Sequence, residues 1–327
     1  MIPLLWIVTV IIFFLMWLQP GDVIDVICGL GCNDVQRNAL KDKFGLDQPV
    51  YVQYWNWLVG VVTRLDFGYS PRMNMPALGV LAGDGRLFYT VLLIAVSMML
   101  SWMIAVPIGI YSATHKYSMT DHVFTFLGFI GLSVPNFILG LLFMWLVVVV
   151  LNLQSIKLPG DYAEFFSCVG GFRCSYYRED VWSLPSILNF LWHFLPPVFI
   201  LAAANMAQII RYMRGNLLDV LGMQYVQTAR AKGLKEKVVV WKHAVRNAIN
   251  PLISMLGFWM PYMLEGAIIV AIVFNLPQIE KAFFDAIENR DSAVVTSGLF
   301  IFSVVLVLGN LVSDILLALS DPKIRYE

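Results

Sequence analysis

Residues Gln224 to Pro251 read QYVQTARAKGLKEKVVVWKHAVRNAINP and form the most basic stretch of a very apolar chain. Eight Lys and Arg stand between Arg211 and Arg246, against only Asp219 and Glu236. Long hydrophobic runs flank the stretch on both sides, so it reads as a loop between membrane spans, held on the cytoplasmic side by its positive charge. The loop is also patterned. Tyr225 to Lys232 holds good helix formers and no Pro, and Gly233 is placed to end a short helix because glycine accepts left-handed backbone. A second helical run, Val238 to Ile249, leads to Pro251, where the next span begins. Two short helices joined by a glycine turn make a knob on which a soluble partner can dock.

The rest of the composition agrees with a membrane setting. Of 327 residues, 59% are hydrophobic and 13% charged, where soluble domains carry about 25% charge. The mean hydropathy of +0.74 points the same way. A formal net charge of zero therefore says nothing of solubility, and the placement of charge carries the information. No separate soluble domain stands out.

Six apolar segments are expected to span: Ile2 to Leu18, Leu87 to Tyr111, His122 to Leu151, Ser186 to Ile210, Leu252 to Phe274 and Gly298 to Leu319. The first is near the lower length limit for a hydrocarbon core about 30 Å thick. A signal peptide is its rival, but no basic segment precedes it and no small-residue cleavage site follows. Residues 1–18 are thus a first transmembrane helix, 19–86 an extracytoplasmic loop, and 87–327 a five-helix core carrying the basic loop 222–251. Asp34 to Phe44 fits a short amphipathic helix, and Asp47 to Leu58 is rich in interfacial aromatics. Gly131-Leu132-Ser133-Val134-Pro135-Asn136-Phe137 interrupts the third span, which suggests a kink facing protein or a cavity.

Charge and cysteine placement set the orientation. Loops after spans two and four, with the tail, hold 11 of the 22 Lys and Arg. The other loops hold the remaining 11, diluted by 15 of the 22 acids. Both termini are therefore expected in the cytoplasm. Cys28, Cys32, Cys168 and Cys174 then all fall in outer loops, where disulfides can form. Local pairs, Cys28 with Cys32 and Cys168 with Cys174, are the natural guess among three pairings; a four-thiolate zinc site is the rival.

The basic loop also carries a resemblance. Thr228-Ala229-Arg230-Ala231-Lys232-Gly233-Leu234, with His243, Arg246-Asn247-Ala248 and Pro251, resembles the "EAA" loop of ABC-importer permeases, and more narrowly the dipeptide/oligopeptide type. Pro20-Gly21-Asp22, FGLDQPVYVQYWNWL from Phe44, LDFGYS from Leu65, the Gly-x-Ser-x-Pro-x-Phe break and Asp321-Pro322-Lys323-Ile324-Arg325-Tyr326 follow the same pattern. So do Phe274, Ala286-Ile287-x-x-Arg290-Asp291 and Asn310-Leu311-x-x-Asp314. Two positions depart from it. Ala271 stands where the family usually has Glu, and Pro277-Gln278-Ile279-Glu280 where it has Pro-Gly-Leu-Gly, near the outer end of span five.

The resemblance implies a type I ABC-importer permease: an all-α integral membrane protein that forms a path with a second homologous permease. It implies a docking helix built from Gln224, Tyr225, Thr228, Ala229, Arg230, Ala231, Lys232 and Gly233, seated in a groove of one of two cytoplasmic ATPases. It also implies an extracytoplasmic substrate-binding protein. The family's substrates are chiefly di- and oligopeptides, but similar permeases move nickel complexes, glutathione or oligosaccharides. On this reading Ala229 and Ala231 permit close approach of the partner.

The residues themselves show no phosphate loop, zinc helix or nucleophile elbow. His115, His122, His193 and His243 lack metal-like spacing, so no metal and no cofactor is expected on this chain. ATP and Mg would belong to the partners, and the chain itself is expected to be non-catalytic. Ser133, Pro135, Asn136, Asn205, Gln208 and Glu265 are the candidates for lining a translocation path, because polar groups inside a membrane by default mark function. Asp314 reads as a structural partner of Arg211 or Arg214. An ion-gradient transporter with Glu265 as its proton site is the alternative from another class.

Overall fold

The computed structural model describes residues 2–18, 24, 28, 31–44, 47–70, 72–168, 170–177 and 181–320. The Pro20-Gly21-Asp22 and Asp321-to-Tyr326 motifs lie outside them. Five of the six expected spans each fall on one helix and the third on a broken pair. The chain folds into two units, Met1–Thr90 with Pro277–Val307 and Val91–Leu276 with Leu308–Glu327.

The first unit holds α1 (Ile2–Trp17), α2 (Asp34–Phe44), α3 (Val50–Arg64) and a small hairpin, β1 (Tyr69–Ser70) against β2 (Met75–Pro76). The short helix α4 (Ala77–Ala82) and the first turn of the long helix α5 (Arg86–Thr114) follow. Of the later elements it takes α11 (Ile279–Glu288) and the first part of α12 (Ser292–Ser320). Its core joins Val61 and Phe67 to Val80 and Leu81 of α4 and to Ile279, Phe283 and Ala286 of α11. These α11 residues recur at helical spacing, so burying one face is what holds this ten-residue helix in place. Close packing is enforced at Gly298, where a Cβ would stand 2.5 Å from the Phe283 ring.

The second unit contains most of α5, then α6 (Met119–Ser133), α7 (Asn136–Trp145), α8 (Leu184–Leu221), α9 (Gln224–Ala231), α10 (Asn250–Val273) and the end of α12. Helix α8 is its backbone, with α6, α7 and α10 packed against it. A Cβ on Gly109 of α5 would lie 2.7 Å from that of Met213, so these helices meet backbone to backbone. Gly257 of α10 does the same for Asn310, and Ser313 donates to the Ile253 carbonyl at 2.7 Å.

Two elements depart from the expected spans. The third is not one kinked helix: α6 and the run Asn136–Val150 are bent by 93°. Pro135 has no amide proton and drives Val134 into extended backbone (φ −94°, ψ 115°), which stops α6. The fourth runs 38 residues, about 57 Å, far beyond Ile210. Arg211 and Arg214 end the apolar stretch without ending the helix, because Met213 and Leu217 keep one face fully buried. Among the described residues, the helical stretches Ala77–Thr114, Leu184–Leu221 and Ser292–Leu319 are long and apolar enough to cross a membrane, and the bent pair adds a fourth. Helix α10, with 24 residues, has the length, while α1, with 16, is short.

Candidate coupling and translocation sites

The basic loop folds as its pattern predicts. Helix α9 ends where Gly233 takes φ +77°, and its amide caps the Arg230 carbonyl at 2.9 Å. The next run begins at Glu236 and contains a π-helical stretch, Val239–Val245, before Arg246–Ala248. Val239, Val240, Ala244 and Ala248 are buried, and Lys235, Lys237, Trp241 and Lys242 are exposed. An Arg230–Glu236 ion pair (Nη2 to Oε1, 2.7 Å) and an Asn247–Tyr225 hydrogen bond (2.7 Å) tie α9 to this second run across the turn.

Helix α9 is two-faced. Val226 is wholly buried and Ala229 is 6% exposed, so both pack on the permease's own structure. Gln224, Tyr225, Thr228, Ala231 and Lys232 are exposed, and Arg230 is half-buried. The small side chain of Ala229 therefore lets α9 sit close to its own chain. Val226, which the sequence reading passed over, is the main anchor; its i, i+3 spacing from Ala229 was the available signal.

The path candidates divide. Ser133 and Pro135 are exposed at the α6–α7 break, with Ser133 bonded back to the Phe129 carbonyl at 2.8 Å. Asn136 opens α7, and its Nδ2 lies 3.0 Å from the point a Cβ on Gly266 would occupy. Asn205 is 2% exposed and donates to the Leu201 carbonyl at 3.0 Å. The side-chain oxygens of Asn136 and Asn205 are both buried without a protein partner. The structure thus brings the break, the middle of α8 and the Gly266 turn of α10 together, with polar capacity to spare. Gln208 is half-buried one turn below Asn205 on α8. The backbone of Glu265 lies in α10, but its side chain is outside the described set.

Two buried acids were not foreseen in these roles. Asp121 receives Arg214 in a two-pronged ion pair, Nε and Nη2 each 2.8 Å from a carboxylate oxygen. Ser112 Oγ and the Tyr117 amide donate to it as well. Arg214, an expected partner of Asp314, is thus engaged at Asp121. Glu280, at the family's departure point, is fully buried at the start of α11. Thr90 Oγ1 donates to its Oε2 at 2.7 Å, while Oε1 has no protein partner. Gln278 Nε2 donates to the Tyr89 carbonyl (3.2 Å), so the departing residues clamp α11 to the first turn of α5. Burial pushes the Glu280 carboxyl up to about 7 against the opposing pull of Thr90.

Apolar helices of membrane-crossing length, one of them a bent pair, together with a basic two-helix knob, fit a membrane permease. Residues 105–326 match the binding-protein-dependent transport system inner membrane component, and residues 1–103 match the N-terminal part of the same type of membrane component. The chain belongs to this family, and it is a multi-pass inner-membrane permease subunit of an ABC importer. It is 37% identical to the oligopeptide transport system permease protein AppB of Bacillus subtilis, over 99% of this chain and 96% of that one. A putative peptide permease of Brucella ovis is 32% identical, over 97% of this chain and 93% of its own. A glutathione transport system permease protein, GsiC of Salmonella choleraesuis, is 33% identical, over 100% of this chain and 96% of its own. Both disulfides expected in the sequence are formed, Cys28–Cys32 and Cys168–Cys174.

Proposed function

We propose that the chain moves di- or oligopeptides inward, paired with a second homologous permease and driven by two cytoplasmic ATPases that use ATP and Mg. A substrate-binding protein on the outer side delivers the peptide, and both termini lie in the cytoplasm of a prokaryotic cell. The names of the relatives support a peptide or glutathione cargo. The observation that carries the reading is the two-faced α9: Val226 and Ala229 fix it to the permease, while Tyr225, Thr228 and Lys232 are left for a partner. Closure of two ATPases around ATP would move α9 as a rigid piece, because the Arg230–Glu236 pair and the Tyr225–Asn247 bond lock it to the following helix.

The test is uptake and ATP hydrolysis by the reconstituted complex. Thr228→Trp enlarges the exposed face and is expected to leave the chain folded, weaken ATPase binding and abolish uptake. Ala229→Leu overpacks the inner face, costs about 1–3 kcal/mol, and is expected to keep the ATPase bound but uncouple hydrolysis from uptake. Normal uptake by both variants, or transport that collapses with a proton uncoupler in the absence of any ATPase, would overturn the reading in favour of an ion-gradient carrier.

A further inference from the structure

Cys168, Cys174 and His193 converge within the second unit, on the segment before α8 and on α8 itself. Their ligating atoms all lie within 4.8 Å of one another. Cys174 and His193 are buried, and Cys168 is half-buried, so the group opens on the Cys168 side. The imidazole is oriented. His193 Nδ1 lies 2.8 Å from the Asn189 carbonyl, which can only accept, so Nδ1 holds the proton. In the neutral ring, Nε2 then keeps its lone pair. It points at Cys168 Sγ (3.4 Å) and the Cys168 carbonyl (3.3 Å), two electron-rich atoms. A cation between them satisfies that arrangement. The carbonyl behind Nδ1 is the outer-shell support that metal-bound histidines typically have. Asn189 adds a second support: its Nδ2 lies 3.7 Å from Cys174 Sγ, and its Oδ1 accepts the Cys174 amide at 3.0 Å.

We propose that Cys168, Cys174 and His193 form a redox-gated site for one thiolate-seeking metal ion, Zn²⁺ by its chemistry, closed by the disulfide and opened by a dithiol reductant. In the oxidised chain the sulfurs are bonded to each other and offer no thiolate. A dithiol delivers two electrons and two protons, the Sγ–Sγ bond breaks, two thiols form, and the donor leaves as a disulfide. The ion then displaces the two thiol protons to solvent and is held by two sulfurs and Nε2. Two Cys and one His supply three of the four positions Zn²⁺ prefers, and the more exposed Cys168 side is left for water. His193 lies twelve residues before Asn205 on α8, and metal binding there is read without transport.

The experiment uses the full chain in detergent carrying Cys28→Ser and Cys32→Ser, which removes the other thiol pair. Co²⁺ serves as the spectroscopic probe, followed by competition with Zn²⁺ and by protection of the thiols from alkylation. The expected result is a sulfur-to-metal charge-transfer band that appears only after reduction, at about one ion per chain. Zn²⁺ should displace Co²⁺ and shield both cysteines. Affinity should fall at least about tenfold in His193→Ala and by a smaller factor in Asn189→Ala. Should His193→Ala fail to fold, thiol protection in the reduced parent protein carries the test. Binding of equal strength before and after reduction, unchanged affinity in a folded His193→Ala, or reduced thiols that Zn²⁺ does not protect would each overturn the proposal.

Discussion

Two carboxylates are buried almost equally and meet opposite surroundings. Asp121, at the corner of α5, α6 and α8, is 1% exposed and is met by a guanidinium, a hydroxyl and a backbone amide. Glu280, at the start of α11, is fully buried and is met by one hydroxyl and its own backbone amide. The first is a structural rivet: its charge is neutralised where α8 leaves the apolar region, and the pair fixes α6 on α8. The second has no cation bonded to it among the described residues, and burial pushes its carboxyl up to about 7. Burial alone therefore does not decide what an acid does; the number and sign of its partners do.

The largest effect is expected from breaking the matched pair. Asp121→Ala strands Arg214, whose side chain is only 26% exposed. Removing one partner of a buried pair costs about 3–5 kcal/mol, so thermal unfolding in detergent should occur well below the parent's temperature. A double change, Asp121→Leu with Arg214→Met, should recover much of the loss, since desolvation of both charges is then avoided. If the single change is silent, the pair is not a rivet.

Acidity probes the unmatched acid. The folded chain holds the Glu280 proton up to about pH 7, against an ordinary value of 4.5. Glu280 thus adds stability that is fully present below pH 4.5 and is lost as the pH rises through 7. The difference is on the order of 3 kcal/mol, read as a falling unfolding temperature across that window. Glu280→Gln keeps an acceptor for Thr90, carries no charge and should flatten the slope. A slope unchanged in Glu280→Gln would place its origin elsewhere.

A third carboxylate sharpens the contrast by being paired but exposed. Glu236 bonds Arg230 with two contacts, and that guanidinium holds its carboxyl below the usual carboxylate range. Water screens the pair, so Glu236→Gln should cost under about 1 kcal/mol. Its measurable consequence is expected in coupling, as a modest fall in uptake per ATP hydrolysed, because the bond spans the Gly233 turn.

Much of this was legible in the sequence because it depends on local chemistry. Gly233 ends α9 at its position because only a left-handed residue closes that turn, and Pro135 breaks the third span because it lacks an amide proton. The apolar runs give the spans because a backbone in lipid must satisfy itself within a helix. What was not legible depends on distant partners. The 93° bend, the extension of α8 to Leu221 and the inward face of Ala229 follow from which neighbours pack there.

The sequence by itself determined that this is an all-α membrane permease whose basic loop folds as a short helix, a glycine turn and a second helical run. Hydrophobic length, positive charge and turn chemistry are properties of short segments and need no partner to act. Only the tertiary structure decided that Asp121 meets Arg214 across 93 residues, that Glu280 is sealed against Thr90, and that His193 turns its Nε2 to a disulfide. Each of these rests on where separate helices come to lie, and a side chain's charge, protonation and ligands are set by that neighbourhood.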